Sequence, residues 1–139
     1  MSGYLLDTNV VLELTRAAPD KGVVAFLSEY EDFWLSAILI HEIEYGVRLL
    51  PQGRRRERLT VILSAVMRIY EDRILPLEML GAEWSAELRA RARKAGRNLD
   101  LGDALVAGIA KANGLAVVTR NDRHFDGLDV DTVNPWKAP

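Results

Sequence analysis

Tyr4-Leu5-Leu6 is a short apolar run that ends abruptly in Asp7-Thr8-Asn9, after which apolar residues recur at intervals of three and four. Such a run, bounded by polar residues, reads as a buried strand, and the change of period as the start of a helix. The alternation repeats along the chain. Val10, Val11 and Leu14 form a helical stripe ending near Pro19, and Asp20 is placed to cap a second helix carrying Val23, Val24, Phe26 and Leu27. Phe33-Trp34-Leu35 predicts a second strand, and Ser36 the N-cap of a helix from Ala37 to about Leu50, closed by Pro51-Gln52-Gly53. A helix from Arg54 to Tyr70 follows, then a strand at Ile74–Leu77 in which Pro76 favours an edge position. Helices from Met79 to Ala95 and Leu101 to Asn113 end at Gly96 and Gly114. Leu115–Thr119 is a continuous apolar strand, Arg120–Gly127 a loop, and Val130–Val133 a last short strand. Strands alternating with helices predict an α/β fold, its mostly parallel sheet covered on both faces.

The totals add boundaries to this picture. A length of 139 residues suits one domain spanning 1–139, and 49% apolar with 27% charged residues is ordinary for a globular protein. The absence of cysteine excludes disulfides and thiolate metal sites. No signal-peptide pattern opens the chain, and no stretch approaches the ~20 apolar residues that span a bilayer, so a cytoplasmic location without membrane contact is expected. The net charge of −2 does not point to nucleic acid. Its distribution is more informative: cations concentrate at Arg54-Arg55-Arg56 with Arg58, and at Arg89, Arg91, Arg93, Lys94 and Arg97.

Several acids sit in apolar surroundings. Asp7 ends the first strand, the end at which open α/β sheets collect ligands, although an aspartate there also caps helices. Glu44 has Arg48 four residues on, the spacing of a surface ion pair. Glu42 instead shares its stripe with Ile38 and Gly46, and a mid-helix glycine, about 1 kcal/mol worse than alanine, predicts close approach by another segment. Asp103 falls three residues after the N-cap Asp100, where it could close a capping box, yet it also borders an apolar helix and so wants a partner, a metal or a proton. Thr119-Arg120-Asn121-Asp122 follows the last long strand and would meet Asp7 if the two strands are neighbours. Asp7, Glu42, Asp103 and Asn121 or Asp122 would then converge. Clustered carboxylates need cations to stay ionised, and oxygen donors with only His41 and His124 as imidazoles favour Mg²⁺ or Mn²⁺. Metal-activated attack of water on a phosphodiester is the chemistry such a site most often serves.

Four segments in this order, Leu5-Leu6-Asp7-Thr8-Asn9, Ser36 with Glu42-Ile43-Glu44-Tyr45-Gly46, Leu101-Gly102-Asp103-Ala104-Leu105-Val106-Ala107 and Val118-Thr119-Arg120-Asn121, resemble the PIN-domain ribonucleases. Within them the chain is similar to the VapC-type toxins of bacterial toxin–antitoxin pairs, in the FitB-like branch, over essentially its whole length. The resemblance implies a three-layer α/β/α fold and a Mg²⁺- or Mn²⁺-dependent endoribonuclease. It places the catalytic acids on Asp7, Glu42 and Asp103, with Asn121 in the fourth position, and makes Thr119, Thr8 and Asn9 supporting groups. Relatives often carry an aspartate before the phenylalanine, where this chain has His124-Phe125, and Asp122 is the candidate to supply that charge to a metal. It further implies a homodimer, held inactive by a VapB-type antitoxin. Helices Asp20–Glu31 and Arg54–Tyr70 carry apolar positions for either contact.

RNA as substrate comes from the resemblance, and the arginines are compatible with it. Arg89, Arg93 and Arg97 recur every four residues, as backbone-phosphate contacts would; the plainer reading is a solvated face beside Glu83 and Glu87. Two rivals stand. A receiver-like signalling domain has the right length but needs paired acids after the first strand, whereas Asp7 is unpaired. A catalytically impaired PIN-like module, kept for RNA or antitoxin binding, would explain His124.

Overall fold

Pairing of Leu5 with Trp34 on one side and Val117 on the other puts the first strand at the centre of a parallel sheet. The structure, a computed structural model, describes residues 3–137. Among these, the strands are β1 (Tyr4–Leu6), β2 (Phe33–Ser36), β3 (Ile74–Leu75), β4 (Ala116–Val118) and β5 (Thr132–Val133). Their order is β3-β2-β1-β4-β5, and every pairing is parallel. The sheet is thus wholly, not mostly, parallel. Receiver-type folds follow the order 2-1-3-4-5, so this topology separates the chain from that rival.

Alternate side chains of the strands feed two cores. Leu6, Leu35 and Val118 pack beneath α1 (Thr8–Glu13), α2 (Lys21–Glu29), α3 (Ala37–Leu49) and α4 (Arg54–Ile69). Leu5 and Val117 face α5 (Met79–Lys94) and α6 (Leu101–Asn113) on the other side. Buried on both faces, the strands read as unbroken apolar runs. Three layers, α/β/α, result. None of the described helices is long and apolar enough to cross a membrane.

Local chemistry sets most element ends as expected. Asp20 accepts from the amides of Gly22 and Val23, Ser36 from Leu39, and Asp100 from Gly102 and Asp103. Gly114 closes α6 at φ 64°. Three ends differ. α1 stops at Glu13, not near Pro19, because the buried Glu13 carboxylate turns the chain by accepting from the Asp20 amide at 2.8 Å. β3 ends at Leu75, since Pro76 lacks the donor needed to extend the ladder, and it does take an edge. The loop after β4 contains a 3₁₀ turn, Asp122–Phe125.

α5 and α6 meet along glycines. A Cβ on Gly108 would lie 2.3 Å from the Gly81 carbonyl and 2.7 Å from the Ser85 amide nitrogen. This close crossing fixes α6, and with it Asp103, against α5.

Candidate active site

Leu6 pairs with Val118, so the residues that follow them, Asp7 and Thr119, emerge together at the C-terminal edge of the sheet. The Asp7 amide donates to the Val118 carbonyl at 2.9 Å. Asp7 is buried and its carboxylate is held on both oxygens. Oδ1 accepts from the Thr8 amide at 2.9 Å; Oδ2 accepts from Thr119 Oγ1 at 2.8 Å and from Asn9 Nδ2 at 3.4 Å. Asp7 therefore caps α1 and is also held from β4.

The neighbours of Asp7 complete a scaffold. Thr119, fully buried, also accepts the Asn121 amide on its Oγ1. Asn9 reaches across to β4, its Oδ1 accepting from the Arg120 amide at 3.1 Å. Thr8 Oγ1 donates to Glu42 Oε1 at 2.9 Å, which ties α3 to the end of β1.

Glu42 stands at the rim beside the first turn of α6: a Cβ on Gly102 would lie 3.5 Å from Glu42 Oε2. Burial pushes the Glu42 carboxyl up, the Thr8 hydrogen bond opposes this, and the charges of Asp7, Asp103 and Asp100 add to the rise. Asp103 behaves similarly. Its proton affinity is raised first by burial; the hydrogen bond to His124 opposes the rise, and the charge of Asp7 supports it. The Glu42 carboxyl thus responds to both neighbours, and that of Asp103 to Asp7. No lysine or arginine pairs with any of the three among the described residues.

Some expected placements are corrected. Gly46 has nothing within 4 Å of a built Cβ, so no chain segment approaches there; Glu42 is drawn to the site by Thr8 instead. Asp103 does not close a capping box. Its Oδ2 engages His124 Nδ1 at 2.8 Å, and Asp100 alone caps the helix. Asp122 turns away from the acids: Asn134 Nδ2 donates to its Oδ1 at 3.1 Å and Lys137 Nζ to its Oδ2 at 2.9 Å. Those partners hold its carboxyl below the usual range, and it lines a separate cleft with Lys21, Phe26, Tyr30 and Trp136. Asn121 is exposed and its amide is tied to Thr119. Glu44 pairs with Arg48 at 3.4 Å.

Arg97 is not on the face shared by Arg89 and Arg93, because α5 ends at Lys94 and the chain turns at Gly96, φ 79°. Its guanidinium donates to the carbonyls of Arg123, His124 and Asp126, bracing the loop that carries His124. Neither this clamp nor the His124 contact was evident from spacing. The glycine before Arg97 was the one signal that it leaves the helix.

A cluster of carboxylates that no lysine or arginine neutralises, with Glu42 and Asp103 raised in proton affinity, suits a hard divalent cation. Among the described residues no three acid or imidazole side chains close tightly enough to cage an ion alone.

Fold and site together define a class: a parallel α/β domain with an acidic centre at its strand ends. The PIN domain pattern matches residues 4–130, and the chain belongs to that family. It is 37% identical to Toxin FitB of Neisseria gonorrhoeae over 135 residues, 95% of this chain and 97% of that one. It is 34% identical to VapC ribonuclease Y4jK of Sinorhizobium fredii over 136 residues, 96% of this chain and 97% of that one. The crystal structure of FitAcB from Neisseria gonorrhoeae superposes with a TM-score of 0.89 at 36% identity, covering 97% of this chain and 99% of that chain.

Proposed function

We propose that this chain is a metal-dependent endoribonuclease, the toxin of a toxin–antitoxin pair. The observation that carries the reading is the gathering of Asp7, Glu42 and Asp103, with no lysine or arginine paired to them among the described residues, at the strand ends of a PIN domain. Relatives bearing the names ribonuclease and toxin support it.

Asp7, Glu42 and Asp103 would hold Mg²⁺ or Mn²⁺, with Asn121 beside them. Bound there, the ion supplies Lewis acidity, acidifying a water and offsetting charge that builds on the phosphate. The protein's own groups prepare the site. Thr119 and the Thr8 amide fix the Asp7 lone pairs, Thr8 Oγ1 orients Glu42, and His124 orients Asp103. Hydrolysis adds water across one P–O bond of RNA: the new P–O bond forms, the bond to the leaving ribose oxygen breaks, and that oxygen receives a proton.

The partner is an antitoxin of the FitA or VapB type, as in the complexes among its structural neighbours. The active assembly is a homodimer. Exposed apolar side chains suited to these contacts include Val24 and Tyr30 near α2, Tyr45 and Leu49 on α3, and Val61 and Ile69 on α4.

The test is cleavage of RNA with Mg²⁺ or Mn²⁺ by the wild-type chain and by Asp7→Asn, which keeps an acceptor for the Thr8 amide. Loss of cleavage both in the variant and in chelator is expected. Undiminished cleavage in either overturns the reading, and metal binding without cleavage by the wild type would make the chain an impaired binding module.

A further inference from the structure

We infer that a single strand of RNA leaves the acidic centre along a basic cleft whose phosphate contacts are Arg123, Arg93 and Arg89. The inference rests on the ribonuclease reading and adds a substrate track to it.

Two clefts adjoin. One, of about 320 Å³, is lined by Asp103, His124, Arg123 and the segment Arg97-Asn98-Leu99. The other, of about 400 Å³, is lined by that same segment together with Arg93 and Arg89 of α5. The two clefts flank that shared segment, one beginning at an acid of the site and the other running along the helix, and the inferred strand would pass over the segment from one to the other.

The arginines of this region divide by what they already hold. Arg97 is engaged by three backbone carbonyls, and Arg91 pairs with Glu87 at 3.3 Å. Arg89, Arg93 and Arg123 are exposed, and none has an ion pair among the described residues. Asp100, on the same wall, caps α6 through Oδ2 and keeps its charge, and the three arginines without an ion pair outnumber it. Arg89 and Arg93 are one helical turn apart, about 6 Å along the axis at 1.5 Å per residue, a separation close to that of neighbouring phosphates in an extended strand. Contacts of this kind position a backbone without reading its bases. An acidic protein segment would match the charge as well, but the first cleft opens onto the centre that must receive a phosphodiester, which favours RNA.

The experiment compares Arg89→Ala/Arg93→Ala with wild type and with Arg91→Ala, using fluorescein-labelled single-stranded RNA of mixed sequence. Binding is measured by anisotropy in the Asp7→Asn background across a salt series. Each lost phosphate contact should weaken binding about fivefold at 0.1 M salt and flatten the log–log salt slope by about 0.7, so about 25-fold and 1.4 for the pair. In the active protein the pair should raise KM with kcat retained, while Arg91→Ala changes neither. Unchanged affinity and slope in the double variant overturn the track even if the wild type cleaves RNA. Unchanged RNA affinity with weakened antitoxin binding overturns it too, assigning the cleft to protein. A wild type that binds this RNA with the expected slopes but does not cleave it keeps the track and rejects the enzyme.

Discussion

Thr119 Oγ1 and Asp7 Oδ2 are joined by a 2.8 Å hydrogen bond across 112 residues of chain, at the ends of adjacent strands. Thr119→Val keeps the shape and removes the donor. Asp7 Oδ2 is then left with only the longer contact from Asn9 Nδ2, at a cost of about 1–3 kcal/mol, and cleavage should fall about 10–100-fold, as for groups that orient metal ligands. Chemical denaturation and an RNA-cleavage assay check both, and Thr119→Ser should recover most of each loss. Wild-type cleavage by the valine variant would remove Thr119 from the site.

The raised Glu42 and Asp103 carboxyls carry a pH signature in chelator. Their folded-state values lie above the unfolded ones, so the folded chain binds protons more tightly, and stability falls as pH rises through that window. The penalty is complete at neutral pH and is relieved as pH drops through the raised values. Asp122 and Asp129 oppose this only further down, where their depressed carboxyls protonate. Calorimetry of metal-free protein should therefore show Tm rising on mild acidification, with a weaker rise in Glu42→Gln. Mg²⁺ should stabilise most at neutral pH, where the acids are ionised.

Arg97→Lys tests the brace under His124. One ammonium cannot span the carbonyls of Arg123, His124 and Asp126, which the guanidinium fork engages together. We expect a loss of about 1–3 kcal/mol and slower cleavage, with the salt slope of RNA binding unaltered. A flattened slope would mean that Arg97 touches phosphate after all.

Two glycines should respond oppositely to alanine. At Gly108 the new methyl meets the Gly81 carbonyl and the Ser85 backbone, and the helices must separate, at about 1–3 kcal/mol. At Gly46 the space is open and the residue is mid-helix, so alanine should stabilise by about 0.5–1 kcal/mol. Thermal melts of both variants, with cleavage by Gly46→Ala measured alongside, give the comparison.

Signals acting over one turn or one strand were legible in the chain. Apolar runs marked β1, β2 and β4, and Asp20, Ser36, Asp100 and Gly114 announced their caps, because capping needs only residues two or three places away. The acids at Asp7, Glu42 and Asp103 could be picked out by their apolar company, though for Glu42 the stated reason failed: Gly46 is open, and Thr8 makes the connection. Side-chain direction was not legible. Asp122 was drawn away by Asn134 and Lys137, and His124 turned towards Asp103, through contacts set by the loop rather than by spacing. A period of four linked Arg97 to Arg93 and Arg89, but a helical period means nothing beyond the end of the helix.

The central place of β1 between β2 and β4 also bears on how the molecule comes into being. Synthesis proceeds from the N-terminus at roughly 5–20 residues per second, so Asp7 and Glu42 emerge long before Thr119 and His124. Until β4 docks, Asp7 lacks its buried donor and Asp103 its imidazole. The site is therefore incomplete on the ribosome for most of the chain's passage along the message, and the groups that hold Asp7 and Asp103 in place arrive only with its final fifth.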